Sequence, residues 1–158
     1  IAASLGQLVG IGFGRRLVSD LIELAGTESG LQQNGRSIKL FPTPQQIADT
    51  DLTSLRTTKA RKKTLLAFSR AIISGELSLE PTQDIEQFQK KILALPGIGP
   101  WTANYIALRA LRHTDAFPET DLILARALRF HSKKEIDQMS PWRGYAAALL
   151  WRESSANS

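Results

Sequence analysis

The sequence predicts an all-α domain, on three observations. Apolar residues recur three and four positions apart through most of the 158 residues. No segment shows the strict apolar–polar alternation of a half-buried strand. Turns rich in glycine and proline, several with helix-capping signals, separate the periodic segments. A chain of this length suits one domain with a sizeable core, and we expect seven to nine helices without an internal repeat.

The first predicted helix covers residues 1–25, where leucines recur at helical spacing. Gly10, Gly12 and Gly14 interrupt this segment, so we expect a bend or a break there. Residues 26–39 are polar and contain glycine, which predicts a flexible loop.

A helix start with a clear mechanism follows this loop. Thr43 can cap, Pro44 occupies the first helical position, and Gln46 can complete a capping box. A long helix is then predicted over residues 59–74, ended by Gly75.

Turns and capping signals divide the second half of the chain in the same way. We expect a capping box at Ser132 and Glu135. The helices predicted here cover about residues 81–95, 100–111, 121–129 and 140–151, with Thr120 capping the third.

Composition limits the possible functions. The net charge of +5 and the pI of about 9.8 favour a polyanionic partner. The absence of cysteine excludes disulfides, thiolate nucleophiles and iron–sulfur clusters, and two histidines make a catalytic zinc site an unfavoured interpretation. No apolar run reaches the roughly 18 residues of a membrane helix and no signal peptide is visible, so we expect a cytoplasmic protein without membrane contact.

Basic residues cluster at the start of the long helix. They are Lys59, Arg61, Lys62 and Lys63. Such a run could contact phosphates, but it is usually just a solvated face. Arg109 and Arg112, which continue the helix face of Trp101 and Tyr105, are somewhat better candidates for phosphate contact.

The most informative segment is the glycine turn Leu95-Pro96-Gly97-Ile98-Gly99-Pro100-Trp101-Thr102-Ala103. Gly97 and Gly99 lack side chains and can adopt positive φ, so the turn is tight and its backbone amides stay uncovered. These amides precede a helix, whose N-terminal N–H groups favour an anion such as a DNA phosphate. A small residue at Ala103 lets the two helices pack closely. The alternative is a plain helix–turn–helix connector.

The segment LPGIGPWTANY resembles the hairpin of the helix-hairpin-helix DNA glycosylases. That superfamily places a catalytic aspartate about twenty residues after the hairpin, behind a turn containing proline, and here FPETD ends in Asp121. The segments SLGQLVG, FPTPQQIA and PWRGYAAALLW also resemble the AlkA-type 3-methyladenine DNA glycosylases. The resemblance covers essentially the whole chain.

The resemblance implies a fold, a partner and a biological role. It implies two helical lobes with a cleft between them and a catalytic helical domain over residues 1–158, without the N-terminal α/β domain of full-length relatives. The implied partner is double-stranded DNA containing alkylated bases, bound by a monomer in base excision repair, in the nucleoid if the source is bacterial.

The resemblance makes Asp121 the catalytic residue. Breaking an N-glycosidic bond develops positive charge on the sugar, which a fixed carboxylate stabilises. A base alkylated at a purine ring nitrogen is already cationic and needs little acid catalysis. Without the resemblance, Asp121 is a carboxylate at a helix start. Trp101 stands where strand-cleaving members carry a lysine nucleophile, so we expect release of the base without lyase activity.

The resemblance also assigns a base pocket. Trp101 and Tyr105, four residues apart, share a helix face, and Trp151 is implied as a third aromatic wall. Aromatic faces attract cations and would favour an alkylated purine. Relatives can carry tyrosine after the aspartate, whereas Leu122 gives an aliphatic wall here.

Other implied contacts concern DNA. Leu8, beside Gln7, is implied as the wedge that fills the space left by the flipped base. The implied hairpin contacts are Gly97, Ile98, Gly99, Pro100, Thr102 and Ala103. No cofactor is expected to be required, although the carbonyls of Leu93, Leu95 and Gly97 are implied as ligands of a structural Na⁺ or K⁺.

Three other functions compete with this interpretation. One is a non-enzymatic helix-hairpin-helix DNA-binding module, for which Asp121 is dispensable. Another is a glycosylase of the same superfamily for oxidised or mismatched bases, against which the missing lysine and cysteine cluster argue. The third is a helical adaptor between proteins, which predicts no steep salt dependence of DNA affinity.

Overall fold

A computed structural model describes residues 11–156 of the chain. Within that range the fold consists of eight α-helices, one 3₁₀ turn at Leu52–Ser54 and one two-stranded sheet. The helices are α1 (Ile11–Ala25), α2 (Pro44–Asp49), α3 (Lys59–Ile73), α4 (Ile85–Leu93), α5 (Pro100–Arg109), α6 (Leu122–Ala127), α7 (Lys133–Asp137) and α8 (Arg143–Ala156). The predicted helical class is confirmed. No helix in this range combines the length and the apolarity that crossing a membrane requires.

Both predicted capping boxes are confirmed. The Thr43 hydroxyl accepts the Gln46 N–H, and the Gln46 amide oxygen accepts the Thr43 N–H at 2.8 Å. Ser132 and Glu135 exchange the corresponding pair of bonds at the start of α7. Each box satisfies two N–H groups that a helix start would otherwise leave unpaired.

The prediction of a flexible loop over residues 26–39 is wrong. Strand β1 (Glu28–Gln33) pairs antiparallel with β2 (Arg36–Lys39), with Gln33 opposite Arg36. The connecting Asn34 and Gly35 both have positive φ, as the favoured two-residue hairpin turn requires. Most of the hairpin's side chains are exposed on both faces, so its sequence lacks the alternation that marks a strand. Asn-Gly was the available signal.

Two compact units make up the fold. The first comprises residues up to Ser78 together with Ala94–Ile98, and the second comprises Leu79–Leu93 together with the chain from Gly99 onward. In the first unit α2 packs against α3. Its core is formed by Leu17, Leu21, Ile47, Leu52, Leu55 and Leu65.

The second unit carries the residues implied in catalysis. Helix α4 packs against α5, and α6 packs against α8. Phe117, Leu124 and Ala147 form a buried cluster, against which Leu128, Ile136, Leu150 and Trp151 pack.

Some predicted boundaries differ from the observed ones. Helix α1 runs through Gly12 and Gly14 without a break, because a glycine inside a helix weakens it without forbidding it. Helix α6 ends at Ala127, whereas α8 begins only at Arg143 and continues to Ala156.

Candidate active site

Asp121 is the N-cap residue of α6. Its carboxylate Oδ1 accepts the N–H groups of Ile123 at 2.9 Å and Leu124 at 3.1 Å. The Asp121 N–H itself donates to the carbonyl of Pro118 at 2.9 Å, which ties the residue to the preceding turn. The prediction that Thr120 caps this helix is wrong by one position, because the cap is Asp121. The carboxylate therefore does stabilise a helix start, which is the role that Asp121 would have without the resemblance.

Two indole groups also hold the Asp121 carboxylate. Trp101 Nε1 donates to Oδ2 at 2.8 Å, and Trp151 Nε1 donates to Oδ1 at 3.1 Å. Trp101 lies in the first turn of α5, twenty residues before Asp121, whereas Trp151 lies on α8. A helix N-cap needs none of these long-range donors, so capping alone does not explain the arrangement.

All the hydrogen-bond donors to Asp121 are electrically neutral. They are two backbone amides and two indoles, and Asp121 forms no ion pair within residues 11–156. Burial raises the pKa of Asp121, but the bonds from Trp101, Trp151, Leu124 and Ile123 together outweigh it and lower the pKa below its ordinary value. The site thus holds a partly buried carboxylate that keeps its negative charge at neutral pH.

The three aromatic residues implied as pocket walls lie together. The rings of Trp101 and Tyr105 stack at 5.1 Å between centroids with an interplanar angle of 13°. Trp151 lies 5.8 Å from Tyr105 at 51°. All three side chains are half-buried. Spacing predicted the Trp101–Tyr105 contact, and the contact of Trp151 with Tyr105 brings the residue implied by the resemblance to the same place.

The hairpin turn has one glycine in the left-handed region. Gly97 has φ of +77°, and a Cβ at this position would collide with the Thr64 hydroxyl oxygen. Gly99 does not use the positive φ that glycine allows, since its φ of −97° and ψ of 175° are those of an extended N-cap residue. Of these two hairpin glycines, Gly97 is the one whose backbone conformation requires glycine.

The start of α5 keeps the features of an anion site. Gly99 caps the helix without any side-chain hydrogen bond, and Pro100 occupies the first turn. The side chains of Ile98, Thr102 and Ala103 are buried, so DNA contacts at these positions would use the backbone. Because Trp101 belongs to this same turn, its bond to Asp121 couples the start of the hairpin helix to the carboxylate.

The chain is similar to known proteins both in sequence and in fold. The chain is 33% identical to the DNA-3-methyladenine glycosylase of Bacillus subtilis, over 94% of this chain and 54% of that protein. It is 37% identical to a probable bifunctional transcriptional activator/DNA repair enzyme AlkA of Mycobacterium tuberculosis, over 75% of this chain and 26% of that protein. The fold matches the Clostridium acetobutylicum 8-oxoguanine glycosylase/lyase in complex with double-stranded DNA at a TM-score of 0.82 and 22% identity, over 99% of this chain and 58% of that chain.

The chain has the fold of the helix-hairpin-helix DNA glycosylases, and it is similar in sequence to DNA-3-methyladenine glycosylases. It spans about half the length of the Bacillus relative and about a quarter of the Mycobacterium one. No protein-family model matches it.

The resemblance also implied an aliphatic wall, a wedge and a cation site. Leu122 directly follows Asp121 and is 74% exposed, so nothing in its own unit covers this aliphatic side chain. Gln7 and Leu8 lie outside the described residues. The Leu95 carbonyl accepts the Ile98 N–H at 3.3 Å. This bond uses one of the two lone pairs of the oxygen, and the other could face a cation.

An ion pair that the sequence did not predict anchors α8. Arg143 Nε donates to Asp115 Oδ1 at 2.9 Å, and Nη2 donates to Oδ2 at 2.6 Å, a two-bond fork. Ser140 Oγ also donates to Oδ2, and Asp137 accepts from Arg143 Nη1 at 3.3 Å. The Arg143 guanidinium lowers the pKa of Asp115 to about 2. Because the partners are 28 residues apart, no local pattern signals the pair.

Proposed function

We propose that this chain is a monofunctional DNA glycosylase that hydrolyses the N-glycosidic bond of cationic, alkylated bases in duplex DNA. One observation carries the proposal: Asp121 is held by four neutral N–H donors, beside three aromatic rings. The alkylated-base specificity is supported by the names of the relatives and by these rings.

The arrangement suits stabilisation of a cation. When the bond between C1′ and the base nitrogen breaks, its electron pair leaves with the base and positive charge develops on the sugar. The Asp121 carboxylate stabilises this charge because its fixed donors do not cancel its own. Water then adds to C1′ and loses a proton, which leaves an abasic site.

Acid catalysis is not needed for such a substrate. An alkylated purine is cationic and departs as a neutral base, so the leaving group needs no proton. This fits the lowered pKa of Asp121, because a carboxylic acid acting as a proton donor would need a raised one.

The aromatic cluster supports the choice of a cationic base. Electron-rich faces attract cations by roughly 0.5–2 kcal/mol per contact. Trp101, Tyr105 and Trp151 provide such faces next to the carboxylate, and Leu122 would be the aliphatic wall. The target base would have to leave the helix stack to reach them, at a cost of a few kcal/mol.

Trp101 argues for a monofunctional enzyme. An indole nitrogen cannot form a Schiff base with C1′, and this one already donates to Asp121. Lys90 and Lys91 lie in the last turn of α4, at a different place from the hairpin position that a lyase uses. We therefore expect no cleavage of the DNA strand by a protein amine.

DNA binding by a monomer completes the proposal. The amides after Gly99 would grip a phosphate, and Leu8 with Gln7 would enter the duplex. The Na⁺ or K⁺ at the carbonyls of Leu93, Leu95 and Gly97 stays a prediction. It would show as a higher melting temperature in NaCl or KCl than in tetramethylammonium chloride at equal ionic strength.

The decisive experiment incubates the protein with duplex DNA treated with a methylating agent. We expect chromatography to detect released 3-methyladenine or 7-methylguanine, and gel analysis to detect intact strands that alkali then cleaves at the abasic sites. Borohydride should trap no covalent complex. Failure to release any methylated base would refute the proposal, whereas a trapped adduct would refute only its monofunctional part.

A further inference from the structure

The basic charge of the chain is concentrated on α3. This helix contains five basic residues and no acidic residue, while the rest of the chain contains fifteen basic and fifteen acidic residues. One helix therefore accounts for the entire net charge of +5.

The positions of these charges do not favour the helix itself. Four of the five lie in the first five residues of α3, whose first turn contains no acidic residue. The N-terminal end of a helix is its positive end, so cations there are unfavourable for helix stability. By contrast, Arg109 and Lys90 lie in the last turns of α5 and α4, where a cation stabilises the helix.

Folding accounts for part of the cluster. The Lys62 ammonium donates to the Thr53 carbonyl at 2.8 Å, and Arg61 is half-buried. Lys59 and Lys63 are exposed and lie four residues apart, so they form one ridge on the helix surface.

This ridge adjoins the hairpin turn within the first unit. The Thr64 hydroxyl donates to the Pro96 carbonyl at 2.8 Å and to the Ala60 carbonyl at 3.1 Å. The close approach of Gly97 to Thr64 fixes the turn on the same face. Lys59 and Lys63 directly precede Ala60 and Thr64, so the lysine ridge lies next to the ridge that holds the turn.

We propose that Lys59 and Lys63 contact DNA phosphates, as a second backbone-binding surface that continues from the hairpin turn. The inference rests on the proposed function, because it requires a DNA-binding chain. The DNA sugar–phosphate backbone fits this surface, since it carries regularly spaced negative charge that a ridge of two lysine ammonium groups neutralises. Such contacts position the duplex without reading its sequence.

The test measures the salt dependence of binding to an unmodified duplex and to one with an abasic site. Each phosphate contact contributes about 0.9 to the slope of log affinity against log salt. The double variant Lys59→Gln/Lys63→Gln should make this negative slope less steep by about 1.8 on both duplexes. The advantage of the wild type should then shrink about twelve-fold between 50 and 200 mM salt.

The matched control is Lys133→Gln/Lys134→Gln. It removes the same charge from exposed lysines in the first turn of α7, where Glu135 supplies a compensating acid. Its slope should stay within about 0.3 of the wild type. Melting curves of both variants exclude misfolding, because removing cations from the start of α3 should not lower the melting temperature.

The outcomes separate the two proposals. An unchanged slope in the Lys59/Lys63 variant, or an equal fall in the control, overturns the α3 surface while wild-type binding and base release still support the glycosylase. Wild-type protein that neither binds duplex nor releases a base overturns the proposed function itself.

Discussion

Asp121 and Asp115 are two well-anchored carboxylates of the same unit with opposite electrostatic surroundings. Asp115 accepts a two-bond fork from the Arg143 guanidinium, so the positive charge of Arg143 balances its negative charge. Asp115 accepts four hydrogen bonds in all, three from Arg143 and one from Ser140. Asp121 also accepts four, but all of its donors are neutral groups. Both pKa values are lowered, yet only Asp121 keeps a net negative charge for an incoming cation. The proposed catalytic aspartate thus differs from the structural one in the charge of its donors, rather than in their number.

The largest effect should come from replacing Asp121→Asn. We expect the rate of methylated-base release to fall about a thousand-fold, because the amide removes the charge that stabilises the sugar cation. Binding to methylated duplex should persist, since asparagine is also a good helix cap. Single-turnover assays with chromatography measure this, and Asp115→Asn serves as the control. Release within ten-fold of the wild type would remove Asp121 from the mechanism and favour a non-enzymatic DNA-binding module.

On the free energy of unfolding, we expect the larger effect from replacing Asp115 and the smaller one from replacing Asp121. Asp115→Asn should lower the free energy of unfolding by about 2–3 kcal/mol, because it leaves the Arg143 charge poorly compensated in a mostly buried pair. The melting temperature should fall by roughly 4–10 °C for a domain of this size. Asp121→Asn should cost about 1 kcal/mol, since the amide still caps but turns an N–H toward a Trp indole. Equal losses in urea titrations at pH 7 would contradict the comparison.

The sequence predicted the parts of the fold and of the site that local rules govern. The capping boxes at Thr43 and Ser132 and the Trp101–Tyr105 pair depend on residues three or four positions apart. Family resemblance supplied Asp121 and Trp151, but not the indole hydrogen bonds between them.

Long-range contacts escaped prediction. The Asp115–Arg143 fork joins a loop to a helix start 28 residues later, and neither segment is periodic. The β1–β2 hairpin escaped for the opposite reason, since its exposed strands bury no face that could impose alternation on the sequence.

A smaller effect should follow from removing one neutral donor. Trp101→Phe keeps an aromatic ring but loses the 2.8 Å bond to Asp121, so base release should fall about ten-fold, the order expected for a bond to a charged group. Losing this bond should also raise the pKa of Asp121. Since activity needs the carboxylate, the acid limb of the pH–rate profile should move to higher pH.

Two further variants sharpen this measurement. Trp151→Phe should shift the acid limb less, because its bond is longer at 3.1 Å. Tyr105→Phe keeps the stacked ring and donates nothing to Asp121 in either form, so its acid limb should coincide with that of the wild type. A shift in Tyr105→Phe equal to that in Trp101→Phe would mean that ring packing, not hydrogen bonding, sets the pKa.

The smallest effect concerns stability in acid. Because the folded-state pKa of Asp115 is about 2 and its ordinary value is 3.8, its contribution to stability is present above pH 4 and is lost as the pH falls toward 2. We expect this loss to be about 1–2 kcal/mol, allowing for partial solvent screening of the pair. Urea titrations from pH 7 to pH 2 should show it in the wild type and show less of it in Arg143→Gln, where the guanidinium that lowers this pKa is gone. Trp101→Phe should retain most of the acid loss, since Asp115 is untouched. If Arg143→Gln instead loses stability in acid as steeply as the wild type, Arg143 does not stabilise the charged form of Asp115. The proposed contrast between Asp115 and Asp121 would then be wrong.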